Sequence, residues 1–289
     1  MKKLIKLYFQ TLSFISPSLA AGQAFNLFQI PINKKIRTKE QAFFDSVDSF
    51  DINWEIENIQ CYELGPKDGS LVIMVHGWES NAASMSGIAK ELAVAGHRTV
   101  LFNLPAHGFS KLKRTNLKMC QEALLTVLQH LDPQMPFSVV SHSFGSAVTS
   151  YALAKSSYQV DHLVFLTTPN KIEDVFLEFA NFIGLSTKAH HKTLHMAEAI
   201  LQEPISNLTV AHLGQFINSK NLLIIHDKTD KVISQEKSIA VSQAWLDSKL
   251  DLIDKTGHYR MLWDKNVIQK VSNQLTASQT INTQKELIP

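Results

Sequence analysis

The chain has 289 residues, 45% of them hydrophobic and 19% charged, and its 28 Lys plus Arg against 26 Asp plus Glu leave a net charge of +2. That balance sets aside nucleic acid as the main partner, along with disordered and fibrous classes, and supplies enough apolar material for one large core. Cys61 and Cys120 form neither a CxxC pair nor a metal-ligand spacing, so two half-buried thiols are expected rather than a disulfide framework or a zinc site.

At helical spacing Leu4, Tyr8, Leu12, Ile15 and Leu19 share one face while Lys6, Gln10 and Ser13 lie opposite, which predicts an amphipathic helix ending near Pro17. The polar interruptions break the continuous apolar run of a secretory signal, so the helix is read as retained; a cleaved signal over residues 1–21, with export, is the alternative. Such a helix can dock on the domain or touch a membrane peripherally through residues 1–20, and the basic run Lys34, Lys35, Arg37 and Lys39 would favour an anionic surface. No other stretch approaches a membrane span, and a cytoplasmic location is expected. Residues 1–49 are thus read as this helix and a basic linker, and 50–289 as the main domain.

From about residue 50 short β-branched runs alternate with helical stretches, the pattern of an α/β protein with a mostly parallel sheet flanked by helices. Ile52 to Glu63 alternates and suits an antiparallel edge strand. Buried parallel strands are expected at Leu71 to Val75, Arg98 to Asn103, Phe137 to Ser141, His162 to Thr167 and Asn221 to His226. Helices are expected at Ala82 to Ala95, with Gly96 as its C-cap, at Asn116 to His130, at Phe144 to Lys155 and at Tyr259 to Leu275. The rhythm stops over Pro169 to Ser219, read as a helical cap insertion, and the polar tail from Ser278 is expected to fray.

His76-Gly77-Trp78 follows the first parallel strand, where backbone N–H groups of Trp78 and, after the later serine, Phe144 would form an oxyanion hole; a tight turn would also explain the glycine. Leu104 to Ser110 is a turn in which His107 orders the backbone. In Ser141-His142-Ser143-Phe144-Gly145 a strand runs directly into a helix with Ser143 at the junction. This matches a nucleophile elbow, with Gly145 small as the turn demands and Ser141 where glycine is usual. A helix N-cap would account for Ser143 alone but not for the other motifs.

Among 12 histidines His258 stands out, because Thr256-Gly257-His258 follows the last strand-like run and so lies at the C-terminal edge of the sheet, placed to act as general base. Its orienting acid should come from the loop holding Asp227 and Asp230. Asp230, further past the strand, is preferred, and Asp227 is assigned to the turn. His190, His191 and His195 with Glu198 lack the HExxH pattern and are read as solvated, so no metal or other cofactor is expected.

These motifs, in the order Ser, Asp, His, resemble the α/β-hydrolase fold superfamily over roughly residues 60 to 275, and its bacterial esterase-like branch with a small helical cap. Asn103 and Ala106 depart from the common Asp-x-Pro-Gly-His-Gly-x-Ser form of the second motif. The resemblance implies cofactor-free cleavage of a small-molecule carboxylic ester or thioester through an acyl-serine. Ser143 would be the nucleophile, His258 the base and Asp230 the acid. An acyltransferase using the same triad, or a catalytically silent binding or membrane-associated module, is the alternative. Trp78, Phe176, Phe179 and Phe182 either line an apolar acyl site or pack the cap on the core.

Overall fold

A computed structural model describes residues 2–285 except 34 and 220, with side chains to residue 276. Lys34 of the basic run and the last four residues of the tail therefore lie outside the described residues.

Two helices, α1 (Lys2–Ile15) and α2 (Pro17–Phe28), stand where one was expected. The first ends at Ile15, near Pro17 as expected, and Pro17 also opens the second, where its missing N–H is no loss and the Leu19 N–H donates to the capping Ser16 Oγ at 3.3 Å. The docked face of α1 also differs from the expected one. Phe9 and Ser13 are buried, whereas Leu4 is 70%, Ile15 72% and Phe14 92% exposed. Ser13 can turn inward because its Oγ accepts the Ser186 N–H at 3.2 Å.

A short helix α3 (Thr38–Phe44) leads into β1 (Asp48–Ile52) and β2 (Ile59–Leu64). The single edge strand expected over Ile52 to Glu63 is thus two antiparallel strands with a turn at 53–58. Then follow β3 (Leu71–Val75), α4 (Ser86–Val94), β4 (Arg98–Phe102), α5 (Leu117–Leu131), β5 (Phe137–His142), α6 (Phe144–Leu153) and β6 (Val160–Leu166). Gly96 sits at φ +89° just past α4, and Asn116 Oδ1 caps α5 by accepting the Met119 N–H at 3.0 Å.

The interrupted rhythm after β6 corresponds to α7 (Ile172–Ile183), α8 (Thr187–Leu201) and α9 (Val210–Leu213). The chain closes with β7 (Leu222–Asp227), α10 (Gln235–Ala244), β8 (Lys249–Ile253), α11 (Gly257–Arg260) and α12 (Lys265–Lys285). The long helix expected from Tyr259 breaks at Asp264, whose Oδ1 accepts the N–H groups of Asn266 and Val267 and starts α12 afresh. That helix runs on to Lys285, past the point where the tail was expected to fray.

The eight strands form one sheet in the order β1-β2-β4-β3-β5-β6-β7-β8, antiparallel up to β4 and parallel from there on. Successive side chains alternate between faces. Ile73, Val139, Phe165 and Ile224 pack under α5 and α6, and Met74, Val140, Val164 and Ile225 under α4 and α12. Both faces are covered, so the central strand β5 is buried along its whole length and its C-terminal end is fixed against its neighbours. Cys61 and Cys120 are fully buried rather than half-buried, and burial pushes the Cys120 thiol up to about 12. No helix among the described residues is long and apolar enough to cross a membrane.

Candidate active site

Ser143 joins β5 to α6 at φ 55°, ψ −123°, a backbone region that L side chains rarely occupy. The surroundings hold it there. Its N–H donates to Leu166 O (3.1 Å) and Thr167 O (3.0 Å) at the end of β6, while its side chain makes no capping bond to α6. A Cβ on Gly145 would lie 2.3 Å from Val75 O, so strand and helix approach closely enough to demand glycine. Ser141 fits where glycine is usual because its hydroxyl lies 2.7 Å from Thr149 Oγ1 inside the core, so its polar atom is satisfied.

The turn after β7 and the segment carrying α11 bring Asp230 and His258 together. His258 Nδ1 lies 2.8 Å from Asp230 Oδ2, with both side chains buried. The same oxygen accepts from Thr167 Oγ1 (3.0 Å), and Oδ1 accepts the N–H groups of Val232 (2.7 Å) and Ile233 (3.0 Å). Burial alone would raise the Asp230 carboxyl, but the His258 and backbone donors outweigh it and hold the group at about 2. A carboxylate this well satisfied orients the His258 ring, with Nδ1 towards Asp230 and Nε2 turned away from it.

Asp227 is spent elsewhere. Its two oxygens accept from the backbone and hydroxyl of Thr229 and of Thr256, which ties the end of β7 to the loop that delivers His258. His142, next to Ser143, lies with its Nε2 2.9 Å from His258 O, so the elbow is fastened to the histidine's main chain. Burial and the neighbouring His258 press the His142 imidazole down to about 3, which leaves it neutral. The remaining link, Ser143 Oγ to His258 Nε2, is not among the hydrogen bonds of the described residues; such bonds often tighten only around a substrate.

Beside the elbow, Gly77 lets the chain after β3 come close: a Cβ there would meet His142 Nδ1 and the Ser143 Cβ, each at 3.1 Å. Trp78 follows, its ring centroid 5.4 Å from that of Phe144. His76 bridges this loop to the next, since its Nε2 accepts the Leu104 N–H at 3.0 Å while Nδ1 donates to Gly77 O at 2.8 Å. In that next loop Asn103 Oδ1 accepts the Ala82 N–H at 3.0 Å, and Ala106 sits at φ 64° where the commoner glycine would be unstrained. His107 Nδ1 lies 2.9 Å from Pro105 O, in keeping with an ordering role in the turn.

Sequence reasoning missed Thr167 and His226, and it placed His76 and His142 inside motifs without giving either a role of its own. Each lies at a strand end, as a polar residue closing an apolar run. His226 is fully buried, its Nδ1 2.6 Å from Ser238 Oγ and its Nε2 3.1 Å from Ile233 O, which props the Asp230 turn from beneath. The insertion's histidines diverge instead. His190 is buried, His195 is exposed with its Nδ1 3.0 Å from Glu198 Oε2, and no metal-binding group of three His, Cys, Asp or Glu occurs among the described residues.

A family model for the α/β hydrolase fold matches residues 70–187. Over 106 residues the chain is 27% identical to a serine hydrolase-like protein of Dictyostelium discoideum, a match covering 35% of this chain and 30% of that protein. Among solved structures, a candidate lipase of Acinetobacter baumannii superimposes with a TM-score of 0.65 at 15% identity, over 85% of this chain and 98% of the other. An esterase of Pyrococcus furiosus does so with a TM-score of 0.64 at 16% identity, over 86% and 96%. At these identities the structures speak for the fold alone. The sheet order, the family match over residues 70–187 and these superpositions together give the chain the α/β-hydrolase fold.

Proposed function

We propose that the protein is a serine hydrolase that cleaves a carboxylic ester or thioester, with Ser143 as nucleophile, His258 as general base and Asp230 as orienting acid. The observation that carries this reading is the Asp230–His258 pair at 2.8 Å, tied through Thr167 and His142 to a serine held at φ 55°. Ser143 Oγ attacks the carbonyl carbon as His258 Nε2 takes its proton. The carbonyl electron pair moves onto oxygen, where the N–H groups of Trp78 and Phe144 would receive it. Collapse breaks the bond to the leaving oxygen or sulfur, which departs with the proton from His258. Water, activated by the same base, then releases the acid and restores Ser143.

The reading is tested with a fluorophosphonate probe on the purified chain. Stoichiometric labelling that disappears in Ser143→Ala supports it. Absence of labelling on folded protein would sink it and favour a silent binding module instead.

A further inference from the structure

A cavity of about 640 Å³ runs from the elbow, where Ser143, Phe144 and Trp78 line it, out between two layers far apart in the chain. One layer is the insertion, α7 and α8. The other is the N-terminal hairpin of α1 and α2, whose Phe28 ring lies 4.3 Å from Phe176 and 5.1 Å from Phe179. The hairpin is built into the fold. Ala20 and Ala21 pack on Ala189 of α8, and beyond α2 the Ile32 N–H donates to Glu79 Oε1 at 2.9 Å, one residue from Trp78. Of the charged residues at the cavity edge, Asp174 and Lys237 pair with each other.

The position of His258 decides which half of an ester enters. The leaving group collects its proton from His258, so it must lie on the His258 side of Ser143. Ser143, Phe144 and Trp78 line the cavity, whereas His258 is not among its lining residues. The half lodged there is therefore the acyl half. One water occupies ~30 Å³, so an acyl chain of roughly ten carbons fits this space with room to spare.

Resting on the serine-hydrolase reading, we propose that the substrate carries a long apolar acyl chain and that the α1–α2 hairpin forms one wall of the acyl site. The hairpin then selects for chain length, each buried methylene strengthening transition-state binding about threefold to fourfold.

The test is a series of nitrophenyl esters from acetate to myristate on the full chain. The kcat/KM is expected to climb about threefold per methylene at least as far as the decanoate. Ile200→Trp, at a half-exposed position in the cavity wall, and Phe28→Ala, in the hairpin, should each lower the decanoate-to-acetate ratio at least tenfold; Ile200→Trp carries the test if Phe28→Ala fails to fold. Phe14→Ser, on the outer face of α1, should leave the ratio within twofold. Presenting the decanoate dissolved or in phosphatidylcholine vesicles distinguishes a soluble from a membrane-borne source of the chain, and a long-chain preference in either arm supports the proposal.

A flat chain-length profile with intact fluorophosphonate labelling overturns the acyl-chain proposal and leaves the serine-hydrolase reading standing. So does a preference for decyl acetate over nitrophenyl decanoate, which would put the chain on the alcohol side. A folded protein that neither labels nor hydrolyses any ester overturns both.

Discussion

The C-terminal edge of the sheet and the helical layer above it are held together by different forces. At the sheet edge the contacts are polar and directional: Asp230 accepts from His258, Thr167, Val232 and Ile233, and Asp227 from Thr229 and Thr256. In the layer formed by α1, α2, α7 and α8 they are mostly apolar, alanines packed on alanine and stacked phenylalanines, with Ser186 to Ser13 a rare polar bond between the two segments. A lost partner in the first region strands a buried donor or acceptor, whereas the second can repack around a change of shape. Chemistry and selection are therefore expected to respond separately to mutation.

The sharpest way to break that contrast is Asp230→Asn, which keeps the shape but removes the charge that orients His258. We expect kcat on a short ester to fall ~10⁴-fold with little change in Tm; a loss of only a few-fold would deny the pair its role. In the apolar layer, Phe9→Ala empties a buried position under α1 and should cost about 3 kcal/mol of stability by urea denaturation. Asp227→Ala, which unfastens the Thr256 loop, should lower kcat roughly 10²-fold by letting His258 drift, and a profile in which KM alone changes would contradict this.

Acid separates the regions more gently. Burial, then the neighbouring His258, depresses the His142 imidazole to about 3 in the folded protein, against ~6.5 for a free histidine. The neutral folded form thus has its full stability above pH ~6.5 and loses it as pH falls through that window towards the folded value. A Tm that declines below pH ~6.5, with a shallower slope in His142→Gln, is the expected result. The smallest effect belongs to Phe14→Ser, which removes an almost fully exposed ring and should stay within about 0.5 kcal/mol.

What could be read before folding was whatever depends on near neighbours in the chain. Apolar runs of five to seven residues specified five of the six parallel strands within a residue or two, because a strand buried on both faces has no polar side to blur its ends; the half-exposed edge strand β8 showed only as a strand-like run. The strand-to-helix junction at Ser143 and the His76-Gly77-Trp78 turn were legible for the same reason. Polar residues did mislead, since their worth lies in partners elsewhere: Ser13 looked solvated and was buried against Ser186.

By itself the sequence determined the α/β class, the elbow and the short list of acid and base candidates, since periodicity and turn chemistry are local. Only the tertiary structure decided that Asp230 meets His258 while Asp227 holds Thr256, and which stripe of α1 docks. It also brought the N-terminal hairpin to the cavity beside Ser143. Those contacts join residues far apart in the chain, and an amphipathic pattern states that a face will be buried without stating what will cover it.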